Sequence, residues 1–318
     1  MARRLRAASL LAGLAASLGL TYLALRDVDF GRFRGAVADG DVRWYAASLA
    51  VFAAAYALRA ARWRLLFAPG TRPPIRPLVW ALIAGEFVTS LLPAVRPGEV
   101  ARVVVLHRNA RTPRSAALGT VVTERIHDAA ALLVLFFAAT PFAPEVTWLR
   151  AAAIALAALA VAAVATLVLV RRFGHRPVAF VLRPFARLPG FSRARTDLAA
   201  GGVVRGLSGL TDARSAAAAF SLSLASWFAI ALSFTLALRG AQLDVGLAAG
   251  ILVAVATTFS LLLPSLPAAV GLFEAAALVA LEPFGVDESR ALSGAVVIHV
   301  LSFGPFLVAG PLALRRRG

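Results

Sequence analysis

Cysteine is absent from the 318 residues, which excludes disulfides, Cys-ligated zinc, iron–sulfur clusters and thiol nucleophiles. Lysine is absent too, so all 33 basic residues are Arg. Charge of either sign is scarce: 15% of residues carry it, 60% are hydrophobic, and the mean hydropathy is +0.81. Soluble domains lie nearer about 25% charged and about 45–50% apolar. A water-soluble fold of this length would leave much apolar surface wet, so the composition predicts an integral membrane protein. In a soluble chain the net charge of +17 would suggest nucleic acid. Beside a bilayer it is orientation charge, and no nucleic-acid partner is expected. Also missing are a Gly-rich nucleotide loop, a G-x-S-x-G elbow and any metal-ligand spacing of His, Asp and Glu. No catalytic residue, metal or cofactor is expected, and the chain is not expected to be an enzyme.

Long apolar runs are what the sequence has. Six are long enough for a membrane-spanning helix of about 20 residues: 6–25, 44–66, 114–140, 148–170, 213–238 and 291–314. The run 6–25 follows three arginines, but its length and the lack of a clear small-x-small site favour a retained anchor over a signal peptide. Two further apolar stretches are interrupted. One, 78–106, breaks at Leu91-Leu92-Pro93; the other, 246–283, breaks at Leu262-Leu263-Pro264 with Pro267 following. Proline stops a helix at each break. Each stretch is expected either to re-enter as a hairpin or to cross twice, which are topologically equivalent.

Charge distinguishes a returning segment from one that crosses once. With the N-terminus cytoplasmic and each broken segment returning to its own side, the cytoplasmic pieces are 1–6, 59–76, 93–114, 171–214 and 315–318. They hold 25 Arg against three acids, Glu99, Asp197 and Asp212, while the external pieces hold seven Arg and nine acids. The positive-inside rule is obeyed. This map predicts an all-α polytopic protein of the cell (inner) membrane, residues 1–318 forming one membrane domain, with both termini cytoplasmic. It contains six full transmembrane helices and two re-entrant or broken hairpins. Residues 44–140 and 213–314 then share one element order in opposite orientations, an inverted-topology repeat. Secondary transporters use that plan, with paired broken helices marking the binding site. The cytoplasmic loop 171–212 is Arg-rich with interleaved Phe. It reads as positive-inside charge or as a segment lying on anionic lipid.

Ionisable side chains at membrane depth are functional candidates. Glu124 lies ten residues past Arg114, about 15 Å into the bilayer at 1.5 Å per residue. It shares a helix face with Asp128. Arg125 is expected to pair with one of them or with a carboxylate of the first hairpin. The cluster serves either as a lock between helices or as a functional site. At the first elbow, Arg96 and Arg102 offer guanidinium forks suited to phosphate. Gly98 allows a turn or a close approach, and Glu99 can hold an arginine or cap the next helix. Together they read as a phosphate-headgroup site (the plainer reading is snorkelling interface arginines). The second elbow has no Arg. Its Glu274 is expected to pair with Arg125 or to carry a proton, with Glu86 its counterpart in the first hairpin. His299 reads as a packing residue. Gly304, Pro305, Gly310 and Pro311 predict kinking or close packing in the last helix.

Pro93-x-x-Arg96-x-Gly98-Glu99-x-x-Arg102, then Glu124-Arg125-x-x-Asp128, then Pro267 … Gly271-x-x-Glu274 resemble the motifs of the lysylphosphatidylglycerol synthase transmembrane-region family of flippase-like membrane proteins. The resemblance covers about 44–314. It implies a membrane module of the kind that, in multidomain members, is joined to a soluble lysyl- or alanyl-transferase domain and linked to moving the aminoacylated lipid between leaflets. The chain ends at Arg315-Arg316-Arg317-Gly318, so aminoacyl transfer is not expected of it. Thr89-Ser90 stand where the family often has Asn, and Ala268-Ala269 where it is usually Gly-rich.

The expected function is translocation of an anionic, phosphate-bearing lipid between leaflets. Arg96, Gly98, Arg102 and Arg125 would engage the phosphate; Glu86, Glu99, Glu124, Asp128 and Glu274 would position arginines or couple to protons. The expected partners are membrane lipids, an anionic phospholipid or a polyprenyl-phosphate lipid, and the sequence leaves a homo-oligomer open. Two alternatives stand beside it. One is a membrane-embedded transferase or accessory subunit acting on such lipids, with Asp128 or Glu124 as base. The other is a scaffold that docks a soluble partner through the Arg-rich loop.

Overall fold

The computed structural model describes residues 39–68, 70–91, 97–144, 213–261 and 267–316, with a few positions between 150 and 172. The expected spans 6–25 and most of 148–170, the loop 171–212 and the elbow tips 92–96 and 262–266 lie outside the described residues. Regular structure among the described residues is entirely helical. The principal helices are α1 (Val42–Leu65), α2 (Ile75–Leu91), α3 (Gly98–Ala110), α4 (Arg114–Ala139), α5 (Ala213–Gly240), α6 (Leu247–Ser260), α7 (Leu272–Leu281) and α8 (Glu288–Arg315). Three, α1, α5 from Arg214 onward and α8, are long and apolar enough to cross a membrane. At 26 residues α4 is as long, but Glu124, Arg125 and Asp128 interrupt its apolar character.

Local chemistry sets the helix ends. Asp41 caps α1 by accepting from the Arg43 amide at 2.9 Å, and Asp287 caps α8 by accepting from Arg290 at 3.2 Å. Side-chain acceptors at these positions satisfy amides that the first turn leaves unbonded. Arg111, in the left-handed region at φ 55°, closes α3, and Pro113 precedes α4. Gly271, at φ 81°, caps α7, and the Glu274 carboxylate reaches back to its amide at 2.7 Å. α8 is one continuous helix through Pro305 and Pro311. Gly310 lies against the Phe87 side chain of α2, so close packing is what that glycine provides.

Both interrupted segments close on themselves. In the first, α2 and α3 pack along one another. The Arg316 guanidinium at the end of α8 sits 4.5 Å over the Trp80 ring near the start of α2. Near the end of α3, Arg108 donates to the carbonyls of Leu314 and Arg316. The two open ends of this hairpin therefore meet beside the C-terminus of α8. In the second segment α6 packs on α7. The chain entering α6 and the chain leaving α7 are tied together by Arg290, which donates to the Gln242 carbonyl. Gln242 also bonds the Asp39 carbonyl, and the Asp41 amide bonds the Gly240 carbonyl at 2.9 Å. The start of α1, the end of α5 and the start of α8 thus share one end of the molecule.

Two apolar clusters hold this arrangement. The larger joins α4 to α8 through residues such as Leu135, Phe234, Val253, Phe273 and Ile298; the smaller joins α1, α2 and α3 through Trp63, Leu78 and Leu106. The helix pair α1–α5 is fastened by Ser48, whose hydroxyl donates to the Ser233 carbonyl at 2.8 Å. Small polar residues of this kind are common between membrane helices. Large apolar side chains also point outward, among them Val42, Val100, Val300, Val308 and Leu312. A surface of that kind suits a lipid solvent. α1 ends at Leu65, close to the expected end at 66, and Arg62, counted with the cytoplasmic piece 59–76, is wholly buried in the helix.

Candidate functional site

The charged residues of four helices converge. On α4, Glu124, Arg125 and Asp128 fall on one side of the helix because residues three and four apart share a face. Arg59 and Arg62 of α1, Glu86 of α2, and Glu99 and Arg102 of α3 meet them there. Arg62 reaches Glu124 at 2.8 Å, bonds Asp128, and donates to the Ser223 hydroxyl of α5 at 2.9 Å. Arg102 bridges Glu99 at 2.6 Å and Glu124 at 3.0 Å. Arg125 touches Glu124 at 3.1 Å, Glu99 at 3.2 Å and Asp128 at 3.6 Å. Trp227 of α5 donates its indole N–H to Asp128 at 2.8 Å. Arg59 lies 3.8 Å from Glu86 and 4.5 Å over the Trp227 ring.

Four arginines and four carboxylates thus form one balanced network. Each charge away from water needs partners of this quality, because an unpaired ion there costs several kcal/mol. Arg62 and Arg102 are nearly inaccessible, whereas the Arg125 side chain keeps 37% of its surface exposed. Arg102 also lies 4.8 Å over the Trp63 ring, and Trp63 is held by its bond to Thr120 at 2.8 Å.

A cavity of about 180 Å³ opens beside the network. Its lining is charged in part, with Arg59, Glu86, Glu99, Arg102, Glu124 and Arg125, and aromatic in part, with Phe52, Tyr56, Trp227, Phe234, Phe273, Phe303 and Phe306. Both broken segments supply it, the first through Gly98 and Glu99 and the second through Ala268 and Ala269. Gly98 is not in a left-handed conformation. A Cβ there would collide with the Gly85 carbonyl and the Thr89 hydroxyl, so its role is close approach of α3 to α2.

Most of the residues singled out in the sequence therefore meet. Glu86, Gly98, Glu99, Arg102, Glu124 and Arg125 line the cavity, and Asp128 stands behind them. Arg125 takes both of its expected partners at once. Arg96 lies outside the described residues. Glu274 stands apart and is bonded to His299 rather than to Arg125; its carboxylate lies 2.5 Å from the imidazole, which sits between Phe273 and Phe303. Sequence reasoning missed Arg59, Arg62, Ser223 and Trp227. The spacing of Arg59 and Arg62, three apart in an apolar helix, was the available signal for the first two. Among the described residues no group of three or more His, Asp or Glu could hold a metal ion; arginine meets the carboxylate charge instead.

The family model for the lysylphosphatidylglycerol synthase TM region matches residues 10–310. The chain belongs to this family. No curated protein sequence matches it. Membership in the lysylphosphatidylglycerol synthase TM region family, together with helices able to cross a bilayer, makes this a membrane protein with a lipid-related role. Among the described residues, four arginines and four carboxylates gather in one network with a cavity next to it.

Proposed function

We propose that this protein translocates a phosphate-bearing lipid between the leaflets of the cell membrane. The observation that carries the reading is a cavity lined by both charged and aromatic side chains, to which both broken segments contribute. An amphiphile has the same two-part character. Guanidinium groups suit phosphate oxygens, and aromatic rings suit the glycerol and upper acyl region. We assign the phosphate to Arg102 and Arg125, with Gly98 and the elbow Arg96 beside them. Glu99, Glu124 and Asp128 hold those arginines in place, and Glu86 and Glu274 are the coupling carboxylates. The paired hairpins act as alternating gates of an inverted repeat, with the first re-entering from the cytoplasmic side and the second from outside, and with six spans in all. Both termini are cytoplasmic in this scheme. The closure of each hairpin at its own end of the molecule supports it.

The transferase alternative needs a free base. Glu124 and Asp128, its two candidates, are each engaged by arginines, which favours transport over proton abstraction.

The test is leaflet exchange in vesicles. Reconstituted protein carrying headgroup-labelled phosphatidylglycerol should expose inner-leaflet label to a membrane-impermeant quencher faster than protein-free vesicles. Arg125→Ala and Arg102→Ala should each slow that exchange about tenfold or more, the order expected for losing a charge-assisted contact. Exchange at the unaltered rate in both variants would refute their assignment.

A further inference from the structure

The four arginines of the network are not equivalent. Arg62 and Arg102 are each held by two carboxylates at close range, and Arg125 by three. Arg59 is different. Its one ion pair within 4 Å among the described residues is with Glu86, and that contact is the longest in the network at 3.8 Å; Asp128 attracts it from farther away. Its other polar contact, to the Tyr56 hydroxyl, is long at 3.4 Å. Its Nε is buried without a hydrogen-bond partner, as are those of Arg62, Arg102 and Arg125. What holds the group is stacking: its guanidinium carbon lies 4.5 Å over Trp227 and 5.1 Å over Tyr56. Stacking fixes the plane of a guanidinium while leaving its N–H donors uncommitted. Arg59 also lines the cavity, together with Tyr56 and Phe52 of its own helix and with Glu86 of α2. Glu86 is the more accessible member of the pair, with 34% of its side chain exposed, so it is the one that can turn to solvent at little cost.

We infer that Arg59 is the residue that receives the anionic headgroup, and that Glu86 is its resident counter-ion, displaced when the headgroup arrives. The inference rests on the phosphate-lipid reading above and adds an exchange of partners to it. A phosphate oxygen competes with a weakly placed carboxylate for a preoriented guanidinium. Arg102 and Arg125 behind it keep their carboxylate partners and take up the phosphate after Arg59 has received it. Empty, the network is balanced; loaded, Glu86 carries an uncompensated charge near the mouth and repels a second anion. Removing the Glu86 charge therefore takes away a competitor, and affinity rises. Removing the Arg59 charge takes away the receptor, and affinity falls. Opposite signs from two neighbouring residues distinguish this from a structural ion pair, for which both changes act in the same direction.

The experiment measures binding of dihexanoyl-phosphatidylglycerol to the full-length protein in detergent micelles, with dihexanoyl-phosphatidylcholine and inorganic phosphate as parallel probes. Thermal unfolding is recorded for each variant. Glu86→Gln is expected to tighten phosphatidylglycerol binding about threefold or more, and Arg59→Gln to weaken it about tenfold. A gain of affinity in Glu86→Gln cannot come from a damaged fold, which keeps the test decisive if Arg59→Gln is unstable. Phosphatidylglycerol binding with no response to either variant, or weakened by both, overturns the inference and leaves the phosphate-lipid reading standing. No binding of phosphatidylglycerol to the unaltered protein overturns the reading itself, and the inference with it. Equal binding of inorganic phosphate, with the same response to both variants, assigns Arg59 to free phosphate and overturns the lipid as its ligand.

Discussion

Single residues here owe their positions to charge that must be compensated where water is scarce. Arg62 has no exposed surface and joins Glu124 to Asp128. Its loss leaves Asp128 with a long contact to Arg125, the Trp227 indole and the more distant charge of Arg59. Breaking a buried pair by removing one partner typically costs about 3–5 kcal/mol. Arg62→Met is therefore expected to lower the unfolding free energy by about 3 kcal/mol, measured by denaturant unfolding in micelles. Adding Asp128→Leu to that variant should restore part of the loss, because it removes the orphaned charge. An Arg62→Met protein as stable as the original would mean that the network does not hold the helices. The sequence already showed that Glu124 and Asp128 share a face, since spacing alone determines that. It could not show that Arg62, more than 60 positions earlier, completes the pair, nor that Trp227 of α5 donates to it. Those contacts depend on which helices become neighbours, and local spacing carries no such information.

Helices and hairpins depend on how closely backbones approach. The prolines at 93 and 264 marked where two apolar stretches must break, and both stretches do consist of paired helices. In α8, where kinking or close packing was expected instead, Pro305 and Pro311 sit inside a continuous helix. Proline in a membrane helix is tolerated when neighbours satisfy the freed carbonyls. Gly98 was legible as special but not in its purpose: it lets α3 lie against Gly85 of α2. Gly98→Ala is expected to destabilise the protein by about 1–3 kcal/mol through overpacking, because its methyl group meets backbone rather than a flexible side-chain end. Gly119→Ala supplies the comparison. Nothing lies within 4 Å of a Cβ there, and an alanine in mid-helix should be neutral or stabilising by about 0.5–1 kcal/mol. Equal melting behaviour for the two variants would contradict the tight hairpin. Glu274 shows the opposite case, a residue whose chemistry was read as long-range and proved local: its carboxylate caps its own helix at Gly271 and meets His299 one helix away.

Across the whole molecule, the two hairpins close at different ends, one beside Arg316 and the other beside Asp41 and Gln242. The absence of native cysteine makes orientation measurable by single substitutions. Thr71→Cys and Arg111→Cys flank the first hairpin, and Asp244→Cys and Glu282→Cys flank the second; all four positions are exposed. With a membrane-impermeant thiol reagent on sealed cells and on inverted vesicles, the first pair should label from the cytoplasmic side and the second pair from outside. Labelling of Thr71→Cys and Arg111→Cys from opposite sides would mean that the segment crosses once. Charge counting in the sequence is the basis for this proposed topology, because arginine in loops is biased by the bilayer itself. The cavity was not legible, since its aromatic lining draws on α1, α5, α7 and α8, and no single segment shows that grouping. The central claim is that this cavity carries a lipid headgroup from one leaflet to the other, and the rate of leaflet exchange tests it most directly. Vesicles holding the purified protein and headgroup-labelled phosphatidylglycerol should lose protected inner-leaflet signal at a rate that scales with protein per vesicle. A rate equal to that of vesicles holding heat-inactivated protein would contradict it.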